Sequence, residues 1–211
     1  SPLPHLPLQA PKKWIAHYRN KLGPEAPYVG DEGYFPNLTP KATYAAMISY
    51  LDEQVGEIIA KLKETGQYHN TLIVFSSDNG PTHLSKQADI DFFNSTGVFQ
   101  NSKNTVKGNV NEGGIRVPCL MRWPEKIPAG SINNQITGII DMLPTFCALS
   151  GAEVPTDRVI DGKNILPYLF GEEVKVPIHE RFIVPGSTIR HGDWKLFVKA
   201  QNPGGKGTKG K

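Results

Sequence analysis

The sequence has only two cysteines, Cys119 and Cys147, and they do not form a Cys-x-x-Cys pair. Each lies in an apolar segment, which favours two buried, unreactive thiols over a disulfide or a ligand pair. The sequence also lacks an apolar run close to the ~20 residues of a membrane-spanning helix. A disulfide scaffold and a membrane-spanning protein are therefore not predicted.

The sequence also has little net charge. The formal net charge is +3, and three lysines of the Gly-rich tail, Lys206, Lys209 and Lys211, account for it. A nucleic-acid interface needs basic residues gathered on one folded face, so we expect no nucleic-acid partner. The chain begins with Ser-Pro-Leu-Pro-His and ends in glycine and lysine. We expect both ends to lie within a longer protein.

The order of elements predicts an α/β fold. Residues 1 to 38 resemble a loop with a short amphipathic stretch near Trp14. Thr39-Pro40 reads as the start of a helix whose apolar residues repeat at three- and four-residue intervals until Gly66. Residues 71 to 75 read as a strand buried on both faces, as in a parallel sheet. A second strand is predicted at 115 to 123, and short helices at 141 to 150, with Asp141 as cap, and at 164 to 170.

Three short strand patterns, at residues 182 to 184, 187 to 190 and 194 to 198, follow in the last part of the chain. They predict an antiparallel meander. We therefore expect a largely parallel mixed sheet flanked by helices in residues 1–174. The start of a small antiparallel subdomain is expected in 175–211, with a flexible tail from about 201.

Asp78 and Asn79 directly follow the first predicted strand and precede Gly80-Pro81. Ligands gather at the carboxyl ends of strands in α/β sheets, and carboxylate and amide oxygens suit Ca²⁺ or Mg²⁺. A plain Asp-Asn-Gly-Pro turn is the alternative.

Two basic side chains are further candidates. Lys107 lies in a long polar segment before Glu112-Gly113-Gly114, where a lysine serves as an anion contact or is simply solvated. His5 stands between prolines, which restrict the backbone beside a possible acid or anion contact. His83 is a marginal candidate, and the partners of His179 are not visible in the sequence.

Together these segments resemble the formylglycine-dependent arylsulfatase-type sulfatases of the alkaline phosphatase superfamily. The resemblance runs in order through the following segments: Pro4-His5 to Pro11, Tyr44-Ala45-Ala46-Met47-Ile48 with Leu51-Asp52, Thr71 to Gly80, Glu112-Gly113-Gly114-Ile115-Arg116-Val117-Pro118, Trp123-Pro124, Asp141-Met142-Leu143-Pro144-Thr145, Asp161-Gly162, and Ile189-Arg190 with Gly192-Asp193-Trp194-Lys195.

This resemblance implies roles for four residues. Asp78 and Asn79 correspond to ligands of a Ca²⁺ or Mg²⁺ ion. Lys107 corresponds to a lysine that contacts the sulfate group, with Lys103 as a less favoured substitute. His5 corresponds to a histidine that contacts the sulfate and assists the leaving oxygen. The implied substrate is a sulfated small molecule or a sulfated glycan.

Three parts of the family pattern are missing: the early Asp-Asp metal pair, the first strands and the motif of the nucleophile. No Cys/Ser-x-Pro/Ala-x-Arg motif, the source of the formylglycine nucleophile, occurs in the chain. We therefore expect the nucleophile in a preceding segment and an inactive isolated fragment. A phosphate or phosphonate ester hydrolase of the same superfamily and a non-catalytic binding relative remain alternatives. The resemblance implies a periplasmic, secreted or lysosomal location.

Overall fold

A computed structural model describes residues 1–99, 106–185 and 187–198. Lys103 and the tail from about 201 therefore lie outside the described residues. Two compact units are present: the first comprises residues 1–68 and 76–119, and the second comprises 69–75 and 120–202 as far as they are described. The boundary near residue 174 stays a prediction.

The first unit is built on two packed helices, α1 (Lys12–Leu22) and α2 (Pro40–Glu64). Helix α1 was predicted only as a short amphipathic stretch within a loop. None of its residues is buried. Hydrogen bonds attach it to α2, because Glu53 of α2 accepts from Lys13 and from Trp14 Nε1, the latter at 2.7 Å. Its stability therefore depends on long-range contacts that a local pattern does not reveal.

Helix α2 begins at Pro40, as predicted, but the prediction of Thr39 as a side-chain cap is wrong. Glu25 from the preceding loop occupies that place, because its carboxylate accepts hydrogen bonds from the N–H groups of Lys41 (2.6 Å) and Ala42 (3.0 Å). A carboxylate there satisfies free donors and complements the helix dipole. Met47 of α2 packs with Leu6 and Leu8 in the core of this unit.

The polar segment after residue 81 contains two short helices, α3 (Ser85–Ala88) and α4 (Glu112–Ile115). Helix α3 packs against α2. Because Ile115 belongs to α4, the second predicted strand begins later than residue 115.

Strands β1 (Ile73–Ser76) and β2 (Cys119–Arg122) pair in a two-stranded sheet. Val74 and Phe75 are 37% and 38% exposed, so the prediction of a strand buried on both faces is wrong for the described chain. Cys119 is exposed at the start of β2, which contradicts the predicted buried thiol, whereas Cys147 is buried as predicted.

The second unit also contains α5 (Met142–Ser150), α6 (Leu166–Leu169) and strands β3 (Phe182–Val184), β4 (Thr188–His191) and β5 (Trp194–Phe197). The three strands form the predicted antiparallel meander, in which Ile183 pairs with Ile189 and Arg190 with Lys195. Asp141 precedes α5 but does not cap it with its side chain. None of the helices in the described ranges has the length and hydropathy of a membrane span.

Candidate functional site

The turn after β1 holds Asp78 and Asn79 in the first unit. Ser77 Oγ donates to the Asn79 carbonyl at 2.8 Å, and Asn79 Nδ2 donates to the Gly80 carbonyl at 3.0 Å. These bonds hold the turn directly after the strand. Asp78 is exposed, and its carboxylate has no hydrogen bond or ion pair to any described residue.

Gly80 fixes the turn against the Glu112-Gly113-Gly114 segment. Its N–H donates to the Gly114 carbonyl at 2.9 Å, and an added Cβ would lie 1.9 Å from the Gly113 oxygen. A Cβ on Gly114 would likewise lie 2.1 Å from the Asn109 oxygen. These glycines therefore allow three backbone segments to approach each other more closely than any side chain permits.

Lys107 lies beside the same turn because its N–H donates to the Pro81 carbonyl at 2.7 Å. Its neighbours Val106 and Asn109 are buried, whereas the Lys107 side chain is exposed. No described residue pairs with its ammonium group. The backbone thus anchors Lys107 at Pro81, three residues after Asp78, and leaves its side chain exposed.

His5 precedes α1 on a loop held by a bond from its N–H to the Pro2 carbonyl at 2.7 Å. Its ring Nδ1 lies 2.7 Å from the Leu6 carbonyl. Since a carbonyl only accepts, Nδ1 is the donor in this contact, and Nε2 has no hydrogen-bond partner among the described residues. Leu6 belongs to the core cluster against which Leu84, three residues beyond Pro81, is packed.

The backbone therefore links the loop of His5, the turn of Asp78 and Asn79, and the loop of Lys107 within one unit. A backbone hydrogen bond to Pro81 connects Lys107 to the segment that follows the turn. His5 is connected to that segment by its neighbour Leu6, which belongs to the apolar cluster that Leu84 packs against. Among the described residues, no hydrogen bond or ion pair joins these four side chains to one another. The four residues therefore lie in one unit, and their convergence on one ligand stays a prediction.

The donor set fits a hard cation in kind but not in number. Asp78 and Asn79 provide carboxylate and amide oxygens, the ligands that Ca²⁺ and Mg²⁺ prefer, yet Ca²⁺ takes about 6 to 8 of them. The part of the chain that the structure describes has no cluster of three or more His, Cys, Asp or Glu side chains suited to a metal. This chain therefore provides at most part of a metal site.

Comparison with known proteins decides the family. The sulfatase family model matches residues 3–152, more than half of the chain. The chain belongs to the sulfatase family. Sulfatases generally use a divalent metal and a formylglycine residue.

This sulfatase chain is 40% identical over 140 residues to the steryl-sulfatase of Mus musculus, a match covering 65% of the chain and 22% of that protein. It is 34% identical over 156 residues to the N-acetylgalactosamine-6-sulfatase of Mus musculus, covering 74% and 28%. The sulfatase chain thus spans less than a third of the length of these relatives.

Among solved structures, Ps i-CgsB is 34% identical and matches with a TM-score of 0.67 over 95% of the sulfatase chain and 40% of that chain. Ps i-CgsB has also been solved in complex with k-i-k-neocarrahexaose. The phosphonate monoester hydrolase of Agrobacterium radiobacter is 25% identical, with a TM-score of 0.52 over 74% and 32%. The sulfatase chain therefore has part of the α/β fold of alkaline phosphatase-like hydrolases.

The sequence patterns missed a buried pair in the second unit. His179 Nε2 lies 2.8 Å from Asp141 Oδ1, and the two side chains are 6% and 0% exposed. The two residues are far apart in the chain and share no motif, so no local signal pairs them. The sequence indicated Asp141 only as a helix cap and as part of a segment of the family resemblance, and neither pointed to His179.

Proposed function

We propose that the protein containing this chain hydrolyses sulfate esters. In this proposal Asp78 and Asn79 contribute oxygen ligands to a Ca²⁺ or Mg²⁺ site, and Lys107 and His5 bind the sulfate group of the substrate. The observation that carries it is the 2.7 Å hydrogen bond from Lys107 N–H to the Pro81 carbonyl, which ties the free ammonium of Lys107 to the turn of Asp78 and Asn79.

The bound groups supply chemistry that these side chains lack. A divalent cation acts as a Lewis acid toward sulfate oxygens, and the formylglycine, expected outside this chain, supplies the nucleophile. Lys107 provides a fixed positive charge for a sulfate oxygen, where it offsets negative charge that grows during S–O cleavage. The Nδ1 contact to the Leu6 carbonyl orients the His5 ring, and a proton on Nε2 would be donated to the departing oxygen.

The decisive experiment uses the full-length protein with an aryl sulfate, 4-nitrophenyl sulfate, and Ca²⁺ or Mg²⁺. The Asp78→Ala variant should lose metal-dependent turnover by a factor of about 10² or more and bind the cation more weakly, as expected for loss of a ligand. Asp91→Ala is the matched control, because Asp91 is an exposed aspartate of the same unit. Normal cation affinity together with normal turnover in Asp78→Ala would refute the ligand assignment.

Lys107→Ala tests the anion contact separately. We expect a loss of about 10² in kcat/KM with metal affinity retained, since an electrostatic contact of this kind contributes a few kcal/mol. Lys12→Ala, an exposed lysine at the start of α1, serves as control. The phosphonate hydrolase among the structural neighbours makes 4-nitrophenyl phenylphosphonate the competing substrate. A clear preference for that ester over the aryl sulfate would replace sulfate by phosphonate in the proposal.

A further inference from the structure

The sequence contains a single Asn-Gly step, Asn79-Gly80, and it lies in the turn after β1. Asparagine is chemically labile, and a following glycine has no side chain to hinder its deamidation. In this reaction the backbone nitrogen of the glycine attacks Cγ of the asparagine, and the Cγ–Nδ2 bond breaks. The proton lost by the glycine nitrogen leaves with Nδ2 as ammonia. Water then opens the succinimide ring to aspartate or isoaspartate.

The peptide group that joins Asn79 to Gly80 is held at both of its polar ends. Its carbonyl accepts a hydrogen bond from Ser77 Oγ at 2.8 Å, and its N–H donates to the Gly114 carbonyl at 2.9 Å. The Gly80 nitrogen can attack only after it has lost the proton that this second bond engages. Any rotation of the peptide group toward the side chain also breaks the bond from Ser77. Both hydrogen bonds therefore oppose the closure of the ring.

The side-chain amide of Asn79 is held as well. Its Nδ2 donates to the Gly80 carbonyl at 3.0 Å, and Asn79 is only partly exposed. This bond fixes the orientation of the amide group and is lost when the nitrogen leaves. The attacking nitrogen, the peptide group that must rotate and the departing amide thus each have a hydrogen-bond partner in the folded chain.

Close packing of backbone restricts the same peptide group. A Cβ added to Gly80 would lie 1.9 Å from the Gly113 oxygen, so Gly80 has no room to move toward Gly113. Gly113 and Gly114 are both buried in α4, where Gly114 N–H donates to the Asn111 carbonyl at 2.9 Å. The carbonyl that accepts from Gly80 therefore belongs to a fixed, buried segment.

We propose that Asn79-Gly80 is a latent deamidation site, and that the contact of Gly80 with Gly113 and Gly114 keeps it unreactive in the folded protein. When this contact opens, conversion of Asn79 to aspartate replaces its amide by a carboxylate. Conversion to isoaspartate also lengthens the main chain by one carbon atom, so the turn cannot re-form with the same geometry. The inference holds whether or not the protein hydrolyses sulfate esters.

The test incubates the full-length protein at pH 7 in two states, folded and unfolded in urea. Both samples contain a metal chelator, so that no bound cation adds to the protection of Asn79. Peptide mapping by mass spectrometry follows the formation of aspartate and isoaspartate at this residue. We expect the folded protein to react at least about tenfold more slowly, because its reaction requires a local opening. Equal rates in the two states would overturn the proposal.

Ser77→Ala removes the exposed hydroxyl that holds the Asn79 carbonyl. This variant should react several-fold faster than the unmodified protein in the folded state and at the same rate in urea. Ser131→Ala is the matched control, because Ser131 is also exposed and donates to a carbonyl, that of Pro128 at 2.8 Å, in the second unit. The control should leave the reaction of Asn79 unchanged in both states.

Gly114→Ala tests the packing of the glycines, since the added Cβ would lie 2.1 Å from the Asn109 oxygen and must displace the acceptor of the Gly80 N–H. Its folded-state rate should approach the rate in urea. Gly56→Ala is its control, because a Cβ there meets no atom within 4 Å. Where Gly114→Ala does not fold, Ser77→Ala decides. If Ser77→Ala reacts like the unmodified folded protein, or if Ser131→Ala accelerates the reaction equally, protection by this turn is refuted.

Discussion

Asp141 is a fully buried carboxylate that joins three parts of the second unit. Its Oδ2 accepts from Gly138 N–H at 2.8 Å, and its Oδ1 accepts from Lys163 N–H at 2.7 Å and from His179 Nε2 at 2.8 Å. A buried charge is tolerated only when it is hydrogen-bonded, and here each oxygen has at least one donor. Asp141 therefore holds the segments around Lys163 and His179 next to the start of α5.

Asp141→Ala should destabilise the protein by about 3 kcal/mol, because it leaves the backbone N–H of Lys163 and the buried ring N–H of His179 without their acceptor. The measurement is urea unfolding of the full-length protein at pH 7, with an early transition of the second unit expected in the variant. Asp157→Ala is the control in the same unit, since Asp157 is exposed and contacts only its neighbour Arg158. Equal unfolding curves for both variants would show that the Asp141 network does not stabilise this unit.

At the scale of elements, α1 is attached to α2 mainly through Glu53. Its carboxylate accepts hydrogen bonds from Lys13 and from Trp14 Nε1, and Tyr18 is hydrogen-bonded to Ser49 at 2.7 Å. The hydrogen bond from Lys13, reinforced by the one from Trp14, holds the pKa of Glu53 below its ordinary value of 4.5. A carboxyl group with a lowered pKa in the folded state stabilises that state only while it is ionised.

The attachment of α1 should therefore be fully present above about pH 4.5 and lost as the pH falls through the lowered pKa of Glu53. Hydrogen–deuterium exchange, corrected for the intrinsic rate, should show the protection of α1 falling over this range before that of α2. In Glu53→Gln the protection of α1 should be low at every pH. Glu57→Gln, an exposed glutamate on the same helix, should behave like the unmodified protein. Protection of α1 that is as high in Glu53→Gln as in the unmodified protein would contradict this role.

Sequence patterns predicted elements whose cause is local and missed those whose cause is distant. The periodic apolar stripe and Pro40 correctly predicted α2, and the short alternating segments predicted the meander of β3, β4 and β5. The extent of α1 and the cap by Glu25 depend on contacts between residues far apart in the chain. The same distinction holds for the site. The turn at Asp78 could be predicted, but the close approach of Gly80 and Gly113 could not.

At the scale of the whole molecule, the chain exposes large apolar side chains on regular elements. Phe75 on β1 and Leu120 on β2 are 38% and 63% exposed, and Phe146 on α5 is 46% exposed. Contiguous exposed apolar surface marks contact regions or aggregation liabilities. Since the chain spans 22% of the mouse steryl-sulfatase and 40% of Ps i-CgsB, we expect other parts of a sulfatase fold to cover this surface.

The isolated chain should therefore bind the dye 8-anilinonaphthalene-1-sulfonate strongly and self-associate, whereas a full-length sulfatase containing it should do neither. Leu120→Ser should reduce dye binding by the isolated chain, because it removes an exposed apolar side chain. In the full-length protein we expect the same side chain to be buried. The substitution should therefore destabilise the full-length protein by about 2 kcal/mol or more. Val159→Ser changes an exposed valine in a loop and should leave the stability of the full-length protein nearly unchanged. This control shows whether a polar substitution of any exposed apolar side chain is enough to destabilise the full-length protein. Dye fluorescence, size-exclusion chromatography and thermal unfolding measure these effects. If the isolated chain is monomeric and does not bind the dye, or if Leu120→Ser is neutral in both contexts, the strand faces of β1 and β2 are solvent surfaces rather than contact surfaces.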